Sequence, residues 1–181
     1  MNIRPWLFGL ILLPPCATLA DTSSVNGARV VEYGQYDVVR GERVAATDTA
    51  AGYMSRVQTY QRVGGPQIPA EVGTAFGLKY IVEGEPEGEK VTLTVVQTFP
   101  PQGVTHPDTS ETTHEQRYRR YARVGEETFD GYILSKPWEV VPGRWTIQIL
   151  HEERLLIEKK FIVEGPDHTA EAGASVRSPS R

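Results

Sequence analysis

The histidines are the side chains of this sequence best suited to bind a metal ion. There are four of them: His106, His114, His151 and His168. His106 and His114 lie eight positions apart in a segment without strand-like periodicity, where Asp108 or Glu115 would add an oxygen ligand. Copper and zinc sites usually take histidines a few residues apart on a helix or on adjacent strands. The spacing therefore indicates that these histidines are solvated loop side chains, and we expect no cofactor. Metal binding by His106 and His114 is the alternative.

Two carboxylates beside aromatic residues are the candidates for acid–base chemistry. Glu139 follows Trp138, and Asp130 lies two positions before Tyr132. An apolar environment would raise the pKa of either carboxyl group. Carboxylates at strand ends are nevertheless usually surface residues or turn caps, so we expect both to be exposed.

Nucleophilic and phosphate chemistry find little support in the sequence. The single cysteine, Cys16, belongs to an amino-terminal segment that we expect to be removed, and no serine stands in a Gly-x-Ser-x-Gly motif. The pair Gly64-Gly65 lacks the basic partner and the strand–loop–helix context of a phosphate-binding loop. We therefore predict a protein that is not an enzyme and assign no catalytic residue.

The segment 100–113 is the candidate for recognition of a partner. It shows no apolar periodicity, and three prolines at positions 100, 101 and 107 would stiffen it. Loops of this length are often functional, although a tolerated insertion is a slightly simpler interpretation. The candidate ligand-binding residues are Trp138, Tyr132, His106 and Asp108.

The elements that must position these residues are β-strands. Apolar residues recur at every second position, the pattern of half-buried strands, in eight segments: 29–39, 55–63, 76–82, 90–99, 116–124, 128–134, 144–150 and 155–163. Trp145 alternates inward with Ile147 and Ile149, which places it in the core, whereas the polar segment 116–124 resembles an edge strand. Segment 45–54 is the best helix candidate, and a weak one. The pattern predicts an all-β protein with one antiparallel β-sandwich, or a small barrel, of about seven to eight strands.

The amino terminus has the organisation of a secretory signal. Arg4 precedes an apolar run over 6–13, which is long enough for a signal and too short to span a bilayer. We expect cleavage after Ala20, with Asp21 as the new amino terminus and a periplasmic or secreted product. Lipidation of Cys16 is a minor alternative, because Pro15 fits poorly before a lipidated cysteine.

Composition bounds the rest of the chain. The domain organisation we expect is a signal peptide over 1–20, a flexible lead-in over 21–27, a sandwich domain over 28–164 and a disordered tail over 165–181. The net charge of −4, with no basic amphipathic stretch, disfavours nucleic acid and anionic membranes as partners. An envelope protein, peptide or glycan is the expected partner, and the sequence does not define the oligomeric state.

Five short motifs together resemble one known family. They are 32–36, 73–77, 99–109, 129–132 and 138–145, with sequences EYGQY, GTAFG, FPP…HPDT, FDGY and WEVVPGRW. Their order and spacing over about residues 30–164 are similar to the secreted bacterial proteins of domain-of-unknown-function family 3859. The resemblance implies an extracytoplasmic, immunoglobulin-like domain, with no assigned activity and no catalytic residues to transfer.

Overall fold

The computed structural model describes residues 24–45, 49–50 and 53–165. The predicted signal peptide, with Cys16, Ala20 and Asp21, and positions 166–181 of the predicted tail lie outside this part of the chain. Within it, no helix is long and apolar enough to cross a membrane.

Strands make up most of the described chain. They are β1 (Ser24–Ala45), β2 (Tyr53–Arg62), β3 (Gln67–Pro69), β4 (Ala75–Glu85), β5 (Lys90–Thr98), β6 (Val104–Thr105), β7 (Thr112–Thr113), β8 (Glu115–Arg123), β9 (Glu127–Ile133), β10 (Gly143–His151) and β11 (Arg154–Glu164). A single 3₁₀ turn, Pro137–Glu139, lies between β9 and β10. All eight predicted strand segments are confirmed.

The strands form two sheets that pack face to face. One sheet has the order β2-β1-β4-β9, the other has the order β3-β11-β10-β5-β8, and β6-β7 is a separate ribbon. Neighbouring strands are antiparallel except β3, which runs parallel to β11. The predicted sandwich is therefore confirmed, and β8 occupies the edge that its polar sequence indicated.

The core follows from the period of two along each strand. On β4, Phe76, Leu78 and Tyr80 are fully buried, and they face Leu93 on β5 and Trp145 on β10. The Phe76 and Trp145 rings meet edge to face, with centroids 5.5 Å apart. Since successive side chains of a strand point to opposite faces, this alternation fixes which face of each sheet is buried.

Gly34 lets two backbone segments approach closely. Its φ is +143°, and a Cβ atom there would lie 2.2 Å from the carbonyl oxygen of Gly64. The Gln35 amide donates to the Gly65 carbonyl at 3.0 Å. Gly64-Gly65 therefore serves as backbone packed on β1, which agrees with the expectation that it is not a phosphate loop.

Three features of the fold differ from the sequence prediction. The prediction of a flexible lead-in over 21–27 is partly wrong, because β1 already starts at Ser24 and pairs with β4 from Ser24↔Glu85 onward. The weak helix candidate at 45–54 is wrong where it is described, because Ala45 ends β1 and Tyr53 begins β2. The strands β3, β6 and β7 are too short to leave a periodic signal.

Candidate functional site

The segment 100–113 is a closed ribbon at one end of the sandwich. β6 and β7 pair through Val104↔Thr113 and Thr105↔Thr112. Val104 is buried in the core, and Gly103 takes a φ of +68° where a Cβ atom would lie 2.6 Å from Thr112. The predicted loop therefore contains a short ladder of two residue pairs, and the anchor at Val104 argues against a tolerated insertion.

The tip of the ribbon is held by its own hydrogen bonds. The His106 amide donates to the Glu111 carbonyl at 2.9 Å, and the Ser110 amide donates to the His106 carbonyl at 2.9 Å. The Asp108 amide donates to Nδ1 of His106 at 3.3 Å. Because Nδ1 is the acceptor, the proton of a neutral His106 ring lies on Nε2. These bonds fix the orientation of the imidazole.

His106 packs against Trp138 of the 3₁₀ turn. The two ring centroids are 4.8 Å apart at an interplanar angle of 60°, and both side chains are half-buried. Asp108 is exposed beside them. Three of the four predicted ligand-binding residues thus come together, and we call His106, Asp108 and Trp138 the loop-end patch.

Tyr132, the fourth predicted residue, lies beneath this patch in the core. It is 8 % exposed and packs against Trp145 and Phe99, with centroids 4.9 and 5.8 Å away. Its hydroxyl donates to Oε1 of Glu139 at 3.1 Å. The prediction that Tyr132 contacts a ligand directly is therefore not supported, because the alternation of β9 points this ring inward.

Glu139 is buried, which contradicts the expectation of a surface carboxylate. It is 1 % exposed, and burial raises the pKa of its carboxyl group. Hydrogen bonds from the Tyr132 hydroxyl and from the Lys136 and Ser135 amides oppose this increase in pKa. The second carboxylate oxygen, Oε2, has no hydrogen-bond partner among the described residues. A carboxyl group in this state favours its neutral form.

Asp130 is the second buried carboxylate, and it too was expected at the surface. It is 4 % exposed, and burial raises the pKa of its carboxyl group. Oδ2 accepts a hydrogen bond from the Tyr80 hydroxyl at 2.8 Å and lies 3.3 Å from Nε of Arg120. Arg120, Tyr80 and Tyr118 each act to lower the pKa of Asp130.

A chain of amide side chains extends from the Gly131 carbonyl, next to this carboxylate in sequence, to the segment between β1 and β2. Gln97 donates to the Gly131 carbonyl at 3.1 Å and accepts from Gln116 at 2.5 Å. Gln116 in turn accepts from the Ala50 amide at 2.9 Å. This network was not predicted, although Gln97 continues the inward positions of Leu93 and Val95 and so signals a buried polar group. Its bonds connect the two sheets and suit a structural role.

The ribbon separates the two histidines of the metal hypothesis. His106 lies opposite Glu111 beyond one end of the β6-β7 ladder, and His114 follows its other end. Three residues of strand place the two backbones roughly 10 Å apart along the ribbon. No group of three histidine, cysteine, aspartate or glutamate side chains suited to a metal occurs in the described ranges. His151 ends β10, and His168 lies outside the description.

Comparison with known proteins places this architecture in one class and one family. A crystal structure of an immunoglobulin-like protein from Pseudomonas aeruginosa matches with a TM-score of 0.51 and 25 % sequence identity, over 79 % of this chain and 97 % of the other. The fold is therefore an immunoglobulin-like β-sandwich. The family described as domain of unknown function (DUF3859) matches residues 25–163, and the chain belongs to that family. Among curated proteins, no significant match is found.

Proposed function

We propose that this protein is an exported, periplasmic, non-enzymatic domain that uses the loop-end patch to bind an envelope protein, peptide or glycan. The observation that carries the proposal is the contact between His106 and Trp138, whose ring centroids are 4.8 Å apart at one end of the sandwich. Domains of this architecture commonly bind partners through the loops at one end.

The chemistry of the patch suits recognition of an uncharged or mixed surface. Trp138 offers a large amphipathic ring, and tryptophan is enriched among residues that dominate binding energy. Asp108 adds a carboxylate, and Nε2 of His106 adds a donor. Backbone bonds of the ribbon hold His106 and Asp108, and the 3₁₀ turn holds Trp138, which reduces the entropy lost on binding.

Support for export comes from the amino-terminal sequence. The sequence has the order of a secretory signal: Arg4, the apolar run at 6–13 and then the small residue Ala20.

Support for a binding role rather than an enzymatic one comes from Asp130 and Glu139, because these two carboxylates, whose pKa burial raises, lie inside the core.

The alternative of a copper, zinc or hydrolytic protein receives less support. It requires His106 and His114 to act together, and they stand at opposite ends of the ribbon. His114 is also exposed and lacks the aromatic contact that orients His106.

Site-specific photo-crosslinking in bacteria that express the full chain tests the proposal. A benzoylphenylalanine at Pro107, which is exposed between His106 and Asp108, should form a defined adduct with an envelope component. The matched control is the same side chain at Leu155, which is 50 % exposed at the start of β11. The substitution Trp138→Ala should remove most of the Pro107 adduct.

Two results would contradict the binding proposal. One is an equal adduct at Pro107 and Leu155. The other is a Pro107 adduct that persists in the Trp138→Ala variant while circular dichroism shows an intact fold.

Mass spectrometry of the purified protein tests export separately. A chain that starts at Asp21 supports cleavage after Ala20, and a diacylated Cys16 would assign the protein to the lipoproteins instead.

A further inference from the structure

Strand β8 is an open edge of the five-stranded sheet. All nine of its residues, Glu115–Arg123, pair with β5 without a register shift. On its other side, no described strand forms a ladder with it. An edge of this kind presents a row of unpaired backbone N–H and C=O groups to a further strand.

The outward face of β8 carries a row of arginines. Arg117, Arg119 and Arg123 are exposed on the same face as Glu115 and Tyr121, and Tyr121 is 62 % exposed. The residues between them are buried, except the half-buried Arg120. Because every second residue points the same way, these side chains follow one another at about 7 Å. We call Arg117, Arg119 and Arg123 the arginine row. It is a local concentration of positive charge on a chain with a net charge of −4.

Neighbouring groups engage the arginine row to different extents. Arg117 forms an ion pair with Glu153 at 2.5 Å, and Arg123 donates to the Gly88 carbonyl at 2.7 Å. Lys90 lies 3.9 Å from the Tyr121 ring centroid and adds a further cation. Arg119, at the middle of the row, forms no ion pair with any other described residue. Its guanidinium is therefore the group best placed to receive an outside carboxylate.

The charge of the row selects the type of strand that can pair with this edge. A second copy of the chain would bring two arginine rows together on the same sheet face, and like charges on adjacent strands are destabilising. An extended segment with carboxylates at alternate positions would instead place carboxylates beside Arg117, Arg119 and Arg123. In such strand addition, backbone bonds give affinity and alternate side chains give specificity.

We propose that the β8 edge binds an extended acidic peptide as an added strand, with its carboxylates along the arginine row. This surface shares no residue with the loop-end patch and does not depend on the function proposed for it. The Trp138→Ala variant should therefore bind the acidic peptide with unchanged affinity, which makes failure of one proposal distinguishable from failure of the other.

A synthetic nine-residue peptide that alternates glutamate and threonine provides the probe. We expect Arg119→Glu to weaken its binding to the purified protein about tenfold or more, and Arg119→Gln to weaken it less. The matched control is Arg144→Glu, since Arg144 is exposed on the outward face of the same sheet but belongs to the interior strand β10. Thermal melting of each variant verifies its fold.

Hydrogen exchange distinguishes an added strand from simple charge attraction. Amides of β8 that do not donate to β5 should become protected when the peptide binds. Three results would overturn the proposal: equal binding by a peptide with proline in place of threonine, equal binding by a peptide with lysine in place of glutamate, or no change in exchange along β8. Dimerisation of the protein at its β8 edge without peptide would also overturn it, in favour of a second copy.

Discussion

Two buried carboxylates, supplied by one strand and the turn that follows it, stand in different surroundings. Asp130 on β9 has a cation, Arg120, at 3.3 Å and a phenol donor, Tyr80, at 2.8 Å. Glu139 in the 3₁₀ turn has one phenol donor, Tyr132, at 3.1 Å, and its Oε2 lacks a partner among the described residues. Burial raises the pKa of both carboxyl groups. At Asp130 the opposing charge is the guanidinium of Arg120 at ion-pair distance, whereas at Glu139 the charge of Lys136 opposes the effect without an ion pair.

The difference separates a structural role from a responsive one. Removal of Asp130 would leave Arg120 without its ion-pair partner and Tyr80 without its acceptor, so Asp130 has a structural role. Glu139 forms no ion pair with any described residue, and its neighbour Trp138 belongs to the loop-end patch. A change in the protonation of Glu139 would therefore occur directly beside the proposed binding surface.

The largest effect should follow from Asp130→Ala. We expect this change to lower the free energy of unfolding by about 3 kcal/mol, because breaking a buried ion pair leaves a charge and hydroxyl donors without compensation. Urea denaturation followed by fluorescence measures the loss. The exposed Asp108→Ala variant is the control and should change stability by less than about 0.5 kcal/mol. Equal losses of unfolding free energy in the two variants would contradict this prediction. They would mean that water replaces Asp130 around the Arg120 side chain, which is 36 % exposed, with no loss of stability.

The positions of the long strands could be predicted from the sequence, because burial of one sheet face imposes a period of two on the apolar residues. Phe76, Leu78 and Tyr80 show that period over a whole strand, and β4 has the predicted position. The ribbon at 100–113 left no such signal. Its two pairs of residues depend on the burial of Val104 and on the positive φ of Gly103, and both arise from packing against the rest of the domain.

Three members of the loop-end patch were predictable from the sequence, but the burial of Tyr132, Asp130 and Glu139 was not. His106, Asp108 and Trp138 were chosen from a loop and a strand end, and the fold brings them together. Glu139 also stands near a strand end, where exposure is the usual outcome. Its burial depends on how the 3₁₀ turn packs on Tyr132, which is a tertiary contact that sequence periodicity does not encode.

An intermediate effect should follow from Tyr132→Phe, which keeps the aromatic packing and removes one hydroxyl. Glu139 then loses its side-chain donor, and we expect a loss of about 1 kcal/mol in the free energy of unfolding at neutral pH. The pKa of Glu139 should rise further, since this hydrogen bond acts to lower it. Carboxyl chemical shifts over a pH titration measure that pKa. An unchanged pKa would show that the backbone amides of Ser135 and Lys136, rather than Tyr132, stabilise the charged form.

The smallest effect, and the most specific, should be the pH dependence of Glu139→Gln. A carboxyl group whose pKa is raised in the folded state stabilises the fold at pH values below its unfolded pKa, and this stabilisation is lost as the pH rises through the folded pKa. The wild-type protein should therefore lose stability relative to Glu139→Gln as the pH rises above about 4.5, where ordinary glutamate titrates. Unfolding curves at a series of pH values measure the difference.

Glu158→Gln supplies a control of opposite sign for this pH dependence. Gln148 and Lys160 lower the pKa of the exposed Glu158, so the wild-type protein should gain stability relative to this variant as the pH rises. Salt should weaken the Glu158 effect by screening an exposed pair and leave the Glu139 effect largely unchanged. If both variants showed the same pH trend, Glu139 would be charged in the folded protein, and its proximity to Trp138 would not make the loop-end patch sensitive to pH.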